Sequence, residues 1–356
     1  MVRQMPKQYS LSRRVLALLP VLGLGLGAAP AGSVVPATEV GQPASANEKV
    51  LPANDEVIAK VGGLAIRFSQ LTQELEQGAA AGISVPAYGT PERKRILKRL
   101  LDETIRTDLL YLDALRKGVY QDPGYQRQLK RFKEGALASL YRDHLAHQGQ
   151  QTEPDMPREQ LRAGIPIKIN EEALDPARDA ARADDEILVT AGDANITWGD
   201  AKPRLLVVTR RAARFEGATD VATERRNVLE QLTDVTVMAI RGRKVGLEQD
   251  PEYVDQLADF SRTGLAGFHA RQLAVAMSPS AEEIEAYAQE QGETLEPSDE
   301  KVRRTVEAAL IQQRLEEYLS QLETDEVPVT VDEAKLDRLL AQEAESPPAA
   351  GGAPAQ

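Results

Sequence analysis

The sequence predicts a predominantly α-helical α+β protein of two related lobes, each a helical bundle clasped by a small β-sheet. Three observations carry this. Two short stretches of alternating branched residues each break at a Gly turn, which is a hairpin signal. Long stretches with apolar residues at helical spacing follow each hairpin. Each copy then ends in a brief run of branched residues beginning at a proline, a pattern suited to a strand start or edge.

In chain order, residues 1–31 carry Arg3, Lys7, Arg13 and Arg14, no acid, and an apolar run from Val15 to Gly27 ending near Ala29-Pro30-Ala31. This reads as a Sec-type signal peptide cleaved after Ala31, too short and too broken by Pro20 to serve as a span. Residues 32–54 read as a disordered linker rich in Pro, Ala and Ser. Lobe 1, over 55–175, opens with Asp55-Glu56-Val57-Ile58-Ala59-Lys60-Val61-Gly62-Gly63-Leu64-Ala65-Ile66. Thr90-Pro91-Glu92 then supplies an N-cap, a first-turn proline and an early acid for a helix with Ile96, Leu97, Leu100, Leu101, Ile105 and Leu109 on one face. A linker is expected at 176–184, lobe 2 over 185–337, and a disordered tail over 338–356.

Lobe 2 repeats the design. It opens with Asp185-Glu186-Ile187-Leu188-Val189-Thr190-Ala191-Gly192-Asp193-Ala194-Asn195-Ile196-Thr197. Glu92-Arg93-Lys94-Arg95 matches Glu224-Arg225-Arg226-Asn227 at an offset of 132, and Gly118-x-x-x-Asp122-Pro123-x-Tyr125 matches Gly246-x-x-x-Asp250-Pro251-x-Tyr253 at 128. Each glycine ends a helix and each Asp-Pro starts the next. The closing runs Ile165-Pro166-Ile167-Lys168-Ile169 and Val327-Pro328-Val329-Thr330-Val331 correspond at 162. Each closing run is expected to complete the sheet of its own hairpin, since a two-stranded hairpin is marginal in water. The 34 residues by which the last two offsets differ lie within Ser278–Glu326: a helix opened by the capping box Ser280-x-x-Glu283, a turn around Gly292 and Pro297, and a long helix.

Composition narrows the function. The chain of 356 residues has no cysteine, three histidines, 4% aromatics, and 55 acidic against 43 basic residues for a net charge of −12. That excludes disulfides and thiolate chemistry, leaves little for imidazole chemistry, and argues against a nucleic-acid partner. His144 and His147 share a helical face beside Asp143 without a third ligand, so a metal site is not expected. Trp198 is assigned to core or hairpin packing.

The order of leader, "D-E-V-I-A-K-V-G-G" hairpin, "D-P-x-Y" helix start, "S-A-E-E-I-E-A-Y" and terminal "V-P-V-T-V-D-E-A-K-L" resembles the SurA/PrsA/PpiD-type chaperone module of exported foldases, in tandem over 55–175 and 185–337. The family's parvulin-type prolyl isomerase insert has no counterpart: about 20 residues, Ala146–Gly164, stand in its place in the first copy, and helices in the second. The resemblance implies a periplasmic or otherwise exported, non-catalytic, ATP-independent chaperone without cofactor. Its partners would be unfolded exported or outer-membrane polypeptides, not nucleic acid, with no stable membrane span after leader cleavage and with a homodimer left open. Prolyl isomerisation by family membership, or a dedicated envelope or secretion assembly adaptor, are the alternatives. The larger side chains available to line a client cleft are Tyr111, Tyr120, Tyr125, Phe132, Tyr141, Tyr253, Phe260 and Phe268. Tyr111, Tyr120, Phe132, Tyr141, Phe260 and Phe268 are the expected client contacts.

Overall fold

Both hairpins form, and the chain is predominantly helical. A computed structural model describes residues 56–80, 82–149, 156–214, 220–290 and 300–345. The expected leader, the first linker and the end of the tail fall outside these residues, as does the turn around Gly292 and Pro297. Strands β1 (Val57–Val61) and β2 (Leu64–Arg67) turn at Gly62-Gly63, and β4 (Ile187–Ala191) and β5 (Ala194–Thr197) turn at Gly192-Asp193. Both hairpins carry the same irregularity, between Val57 and Ala59 and between Ile187 and Val189. An inserted residue re-aims its neighbours, so Ile58 and Ala59, and Leu188 and Val189, are buried in succession.

Helices α1 (Phe68–Ala80), α2 (Pro91–Arg116), α3 (Pro123–His147) and α4 (Arg158–Arg162) follow the first hairpin. The second is followed by α5 (Trp198–Arg214), α6 (Val221–Lys244), α7 (Pro251–Ala276), α8 (Ala281–Glu290) and α9 (Glu300–Asp325). The punctuation is as the sequence predicts. The Thr90 hydroxyl accepts the Arg93 N–H at 3.3 Å, and Asp122 and Asp250 accept the N–H groups of Gly124 and Glu252 at 2.7 and 2.8 Å. Gly118 and Gly246 sit at φ +69° and +83°, where a Cβ would clash with its own backbone. Ser280 and Glu283 bond reciprocally at 2.7 and 3.2 Å, closing the predicted capping box.

The closing strands do not pair as expected. β3 (Ile167–Ile169), from the first copy, pairs with β4 of the second. β6 (Val329–Val331), from the second copy, pairs with β1 of the first. The two sheets are therefore β2-β1-β6 and β3-β4-β5, both antiparallel. The exchange is reciprocal down to single bonds. Gly62 donates to the Pro328 carbonyl at 2.8 Å and Gly192 to the Pro166 carbonyl at 2.9 Å, while Asp332 and Asn170 donate to the carbonyls of Ile58 and Leu188. Sequence equivalence fixed what each strand looks like, and so could not separate a copy's own hairpin from the other's.

The described residues divide into two units, one of Leu273–Tyr318 and one of 56–272 with 319–345. Both sheets and all helices from α1 to α6 lie in the larger unit, so the two copies share one body. There α3 of the first copy packs most extensively on α6 of the second, through Ala138 against Val237 and Met238, and through Leu137 and Leu140 against Ala239. Trp198 is 1% exposed within a core of Leu188, Val189, Ala201, Leu205 and Leu229, as its packing role requires. A Cβ at Gly199 would stand 2.9 Å from the Asp184 carbonyl oxygen and from Arg127 Cδ. Gly199→Ala is therefore expected to cost about 1–3 kcal/mol in chemical unfolding, by forcing α5 off this seat. In the smaller unit Ala288 and Val306 are buried, and Arg314 donates to the Met277 carbonyl at 2.9 Å.

Two segments expected to be loose are packed. The tail expected from residue 338 instead continues α10 (Glu333–Glu345), because Leu336, Leu339 and Leu340 recur at helical spacing and are buried. The linker at 176–184 holds a 3-10 turn, Pro176–Ala181, and a buried Arg182 whose guanidinium lies 5.9 Å from the Trp198 ring centroid. Each of these segments follows a closing strand and delivers a carboxylate to an equivalent arginine. Arg225, fully buried on α6, clamps Asp179 at 2.7 and 2.9 Å and the Ala173 carbonyl at 2.8 Å. Arg93, 3% exposed on α2, clamps Glu343 of α10 at 2.5 and 3.1 Å.

Candidate functional site

The expected client-contact residues fall mainly along α2, α3 and α7. Phe132 of α3 stacks on Phe260 of α7, with ring centroids 3.9 Å apart and planes 8° from parallel. Phe268 meets Tyr125 edge to face at 5.9 Å, and Tyr111 and Tyr120 pack around the same cluster of Ala114, Tyr125 and Leu265. Tyr141 stands apart, beside Leu161 and Met238, with its ring 6.4 Å from that of His144. All six remain half-buried, whereas Tyr125 and Tyr253 are buried core residues. Burial pushes the Tyr125 hydroxyl up to about 12 and raises Tyr111 and Tyr253 as well. A half-buried ring is amphipathic in use: part fastens the helix and part remains for a partner.

Two buried polar pairs tie α2 to α7 beside these rings. Arg262 binds both carboxylate oxygens of Asp108, which is fully buried. Burial raises the Asp108 carboxyl despite that guanidinium. His269 Nε2 lies 2.7 Å from the carboxylate of Asp113, which also receives Arg116 at 2.6 Å and Lys117 at 3.1 Å. In the sequence, His269 stands apart from the other two histidines, His144 and His147. The signal that could have placed it is Asp113, four residues after Leu109 on the apolar face of α2, a position that requires a partner. These pairs brace the helices that carry the aromatics.

Among the described residues, no group of three or more His, Cys, Asp or Glu could hold a metal ion. His144 contacts the Gln148 side chain and His147 the Asp143 carbonyl. A shallow groove on α2 is lined by Pro91, Lys94, Arg95, Lys98, Arg99 and Asp102, away from the aromatics. Its lysines are engaged by α10, Lys94 with Asp337 at 2.8 Å and Lys98 with Glu333 at 2.9 Å. No helix of the described residues is long and apolar enough to cross a membrane. Compared with known proteins, the chain matches no family model, no curated protein and no solved structure.

Proposed function

We propose that the chain is an exported, non-catalytic, ATP-independent chaperone related to the SurA/PrsA/PpiD-type module, binding unfolded or partly folded polypeptides. One observation carries the reading: Tyr111 of α2, Tyr120 of the turn that follows it, Phe132 of α3, and Phe260 and Phe268 of α7 are all held half-exposed. Apolar area presented without a directional polar array favours weak and broad binding. The acidic balance of the chain keeps a loaded complex soluble and keeps complexes apart.

The test is suppression of aggregation of an unfolded outer-membrane polypeptide by residues 32–356 without nucleotide. The wild type is expected to suppress it at a few-fold molar excess, and Phe132→Ala with Phe260→Ala to weaken suppression severalfold. Leu336→Ala controls for stability, since it removes a buried side chain of α10 that belongs to no aromatic cluster. A control that loses suppression equally, or a wild type without any, overturns the reading. Prolyl-peptide isomerisation above background would favour the enzyme instead.

A further inference from the structure

Helix α5 differs in charge from its counterpart after the first hairpin. α1 carries Glu74 and Glu76 and no Lys or Arg, whereas α5 carries Lys202, Arg204, Arg210, Arg211 and Arg214 against a single acid, Asp200. That acid is 7% exposed and bound to Lys130 at 2.8 Å and to Thr197, so it contributes nothing to the outer face. Arg204, Val207, Arg210 and Arg214 are all exposed, Val207 by 61%. Steps of three, three and four residues place them on one stripe, roughly 15 Å long at helical rise.

Among the described residues, nothing neutralises the stripe. Arg204, Arg210 and Arg214 make no ion pair or hydrogen bond with another described residue, while Arg211 binds Glu224 at 2.9 Å and Lys202 stands 3.6 Å from Asp184. Beside it on α3, Arg127 pairs with Asp184 at 3.0 Å and Lys130 with Asp200 at 2.8 Å, so the unpaired charge belongs to α5 itself. In a chain of net charge −12, a row of arginines without partners among the described residues, around an exposed valine, is a local inversion of charge.

We propose that the outward stripe of α5 docks an acidic polypeptide segment bearing apolar side chains. The guanidinium forks take Asp or Glu carboxylates in bidentate fashion, and Val207 meets an apolar neighbour between them. A polypeptide suits the stripe better than an anionic bilayer. A bilayer would bring an extended negative plane within a Debye length, about 8 Å at physiological salt, of the acids elsewhere on the surface. A peptide touches the stripe alone, and one valine offers little to insert into lipid. The source of the segment, an unfolded client, rests on the chaperone reading, whereas the binding itself does not.

The experiment is fluorescence anisotropy of a labelled twelve-residue peptide alternating Glu and Leu, titrated with the full chain. A Lys/Leu peptide and phosphatidylglycerol vesicles serve as comparisons. Expected are saturable binding of the Glu/Leu peptide, a loss of at least tenfold in affinity for R204E/R210E/R214E, and retention of most affinity in R204K/R210K/R214K. Circular dichroism checks the fold, and R214E alone, expected to lose about threefold, serves if the triple variant unfolds. Equal affinity of the triple Glu variant, equal binding of the Lys/Leu peptide, or binding to vesicles but not to the Glu/Leu peptide each overturns the proposal. Aggregation suppression that persists while the peptide fails to bind removes this proposal alone. Peptide binding without suppression removes the chaperone reading and leaves this one.

Discussion

Arg225→Ala is expected to lower the unfolding free energy by about 3–5 kcal/mol, the range for removing one partner of a buried ion pair. For a chain of this size that is a fall in Tm on the order of 10 °C. The guanidinium is wholly inside and makes bonds at 3.2 Å or less to the Ala173 carbonyl, both oxygens of Asp179 and the Thr209 hydroxyl. Its loss leaves a nearly buried carboxylate and a buried carbonyl without these donors, and uncompensated burial dominates the cost. Two companions sharpen the test. Arg225→Met with Asp179→Leu removes both charges and is expected to recover most of the loss. Arg93→Ala should cost a comparable amount by freeing Glu343, whose side chain is 10% exposed. Chemical denaturation decides it: an Arg225→Ala protein within 1 kcal/mol of wild type would mean that the clamp is incidental to the fold.

The two clamps show what the sequence could disclose and what it could not. The match of Glu92-Arg93 with Glu224-Arg225 was legible as a repeat, and so were both hairpins, the Gly and Asp-Pro punctuation and the capping box. Each of these rests on bonds between residues close in sequence, where spacing and residue type suffice. The acceptors Asp179 and Glu343 were illegible, since one lies in an apparent linker and the other in an apparent tail. Composition is a poor guide where a few residues, here Leu336, Leu339 and Leu340, find a distant seat. The candidate aromatics could be named from their size, and packing agrees with leaving out Tyr125 and Tyr253, which are taken into the core, whereas Tyr120 and Phe260 keep part of their rings outside. The arginine stripe of α5 was present in the sequence. It gained meaning from two structural facts: Asp200 turns inward, and Val207 does not.

Dividing the chain between Asp184 and Asp185 is expected to abolish cooperative folding of either half, while co-expression restores a folded pair. The strand exchange is the reason. The first half would keep β1, β2 and β3 but lose β6, and the second would keep β4, β5 and β6 but lose β3. Each half would also lose the packing of α3 on α6 and present those apolar faces to water. Pattern alone would let β3 close β1, as its likeness to β6 suggests, so loop entropy must be weighed. The observed pairing closes one connection of 17 residues (170–186) and one of 267 (62–328), against 105 (62–166) and 137 (192–328) for closure within copies. Logarithmic scaling favours the observed arrangement by only about 1 kcal/mol. Strand closure thus leaves the two arrangements nearly balanced, and the interleaved helices must supply the remaining preference. Thermal unfolding of each half followed by circular dichroism is the measurement. Halves that melt sharply by themselves, near the Tm of the intact chain, would show that each closing strand can serve its own hairpin.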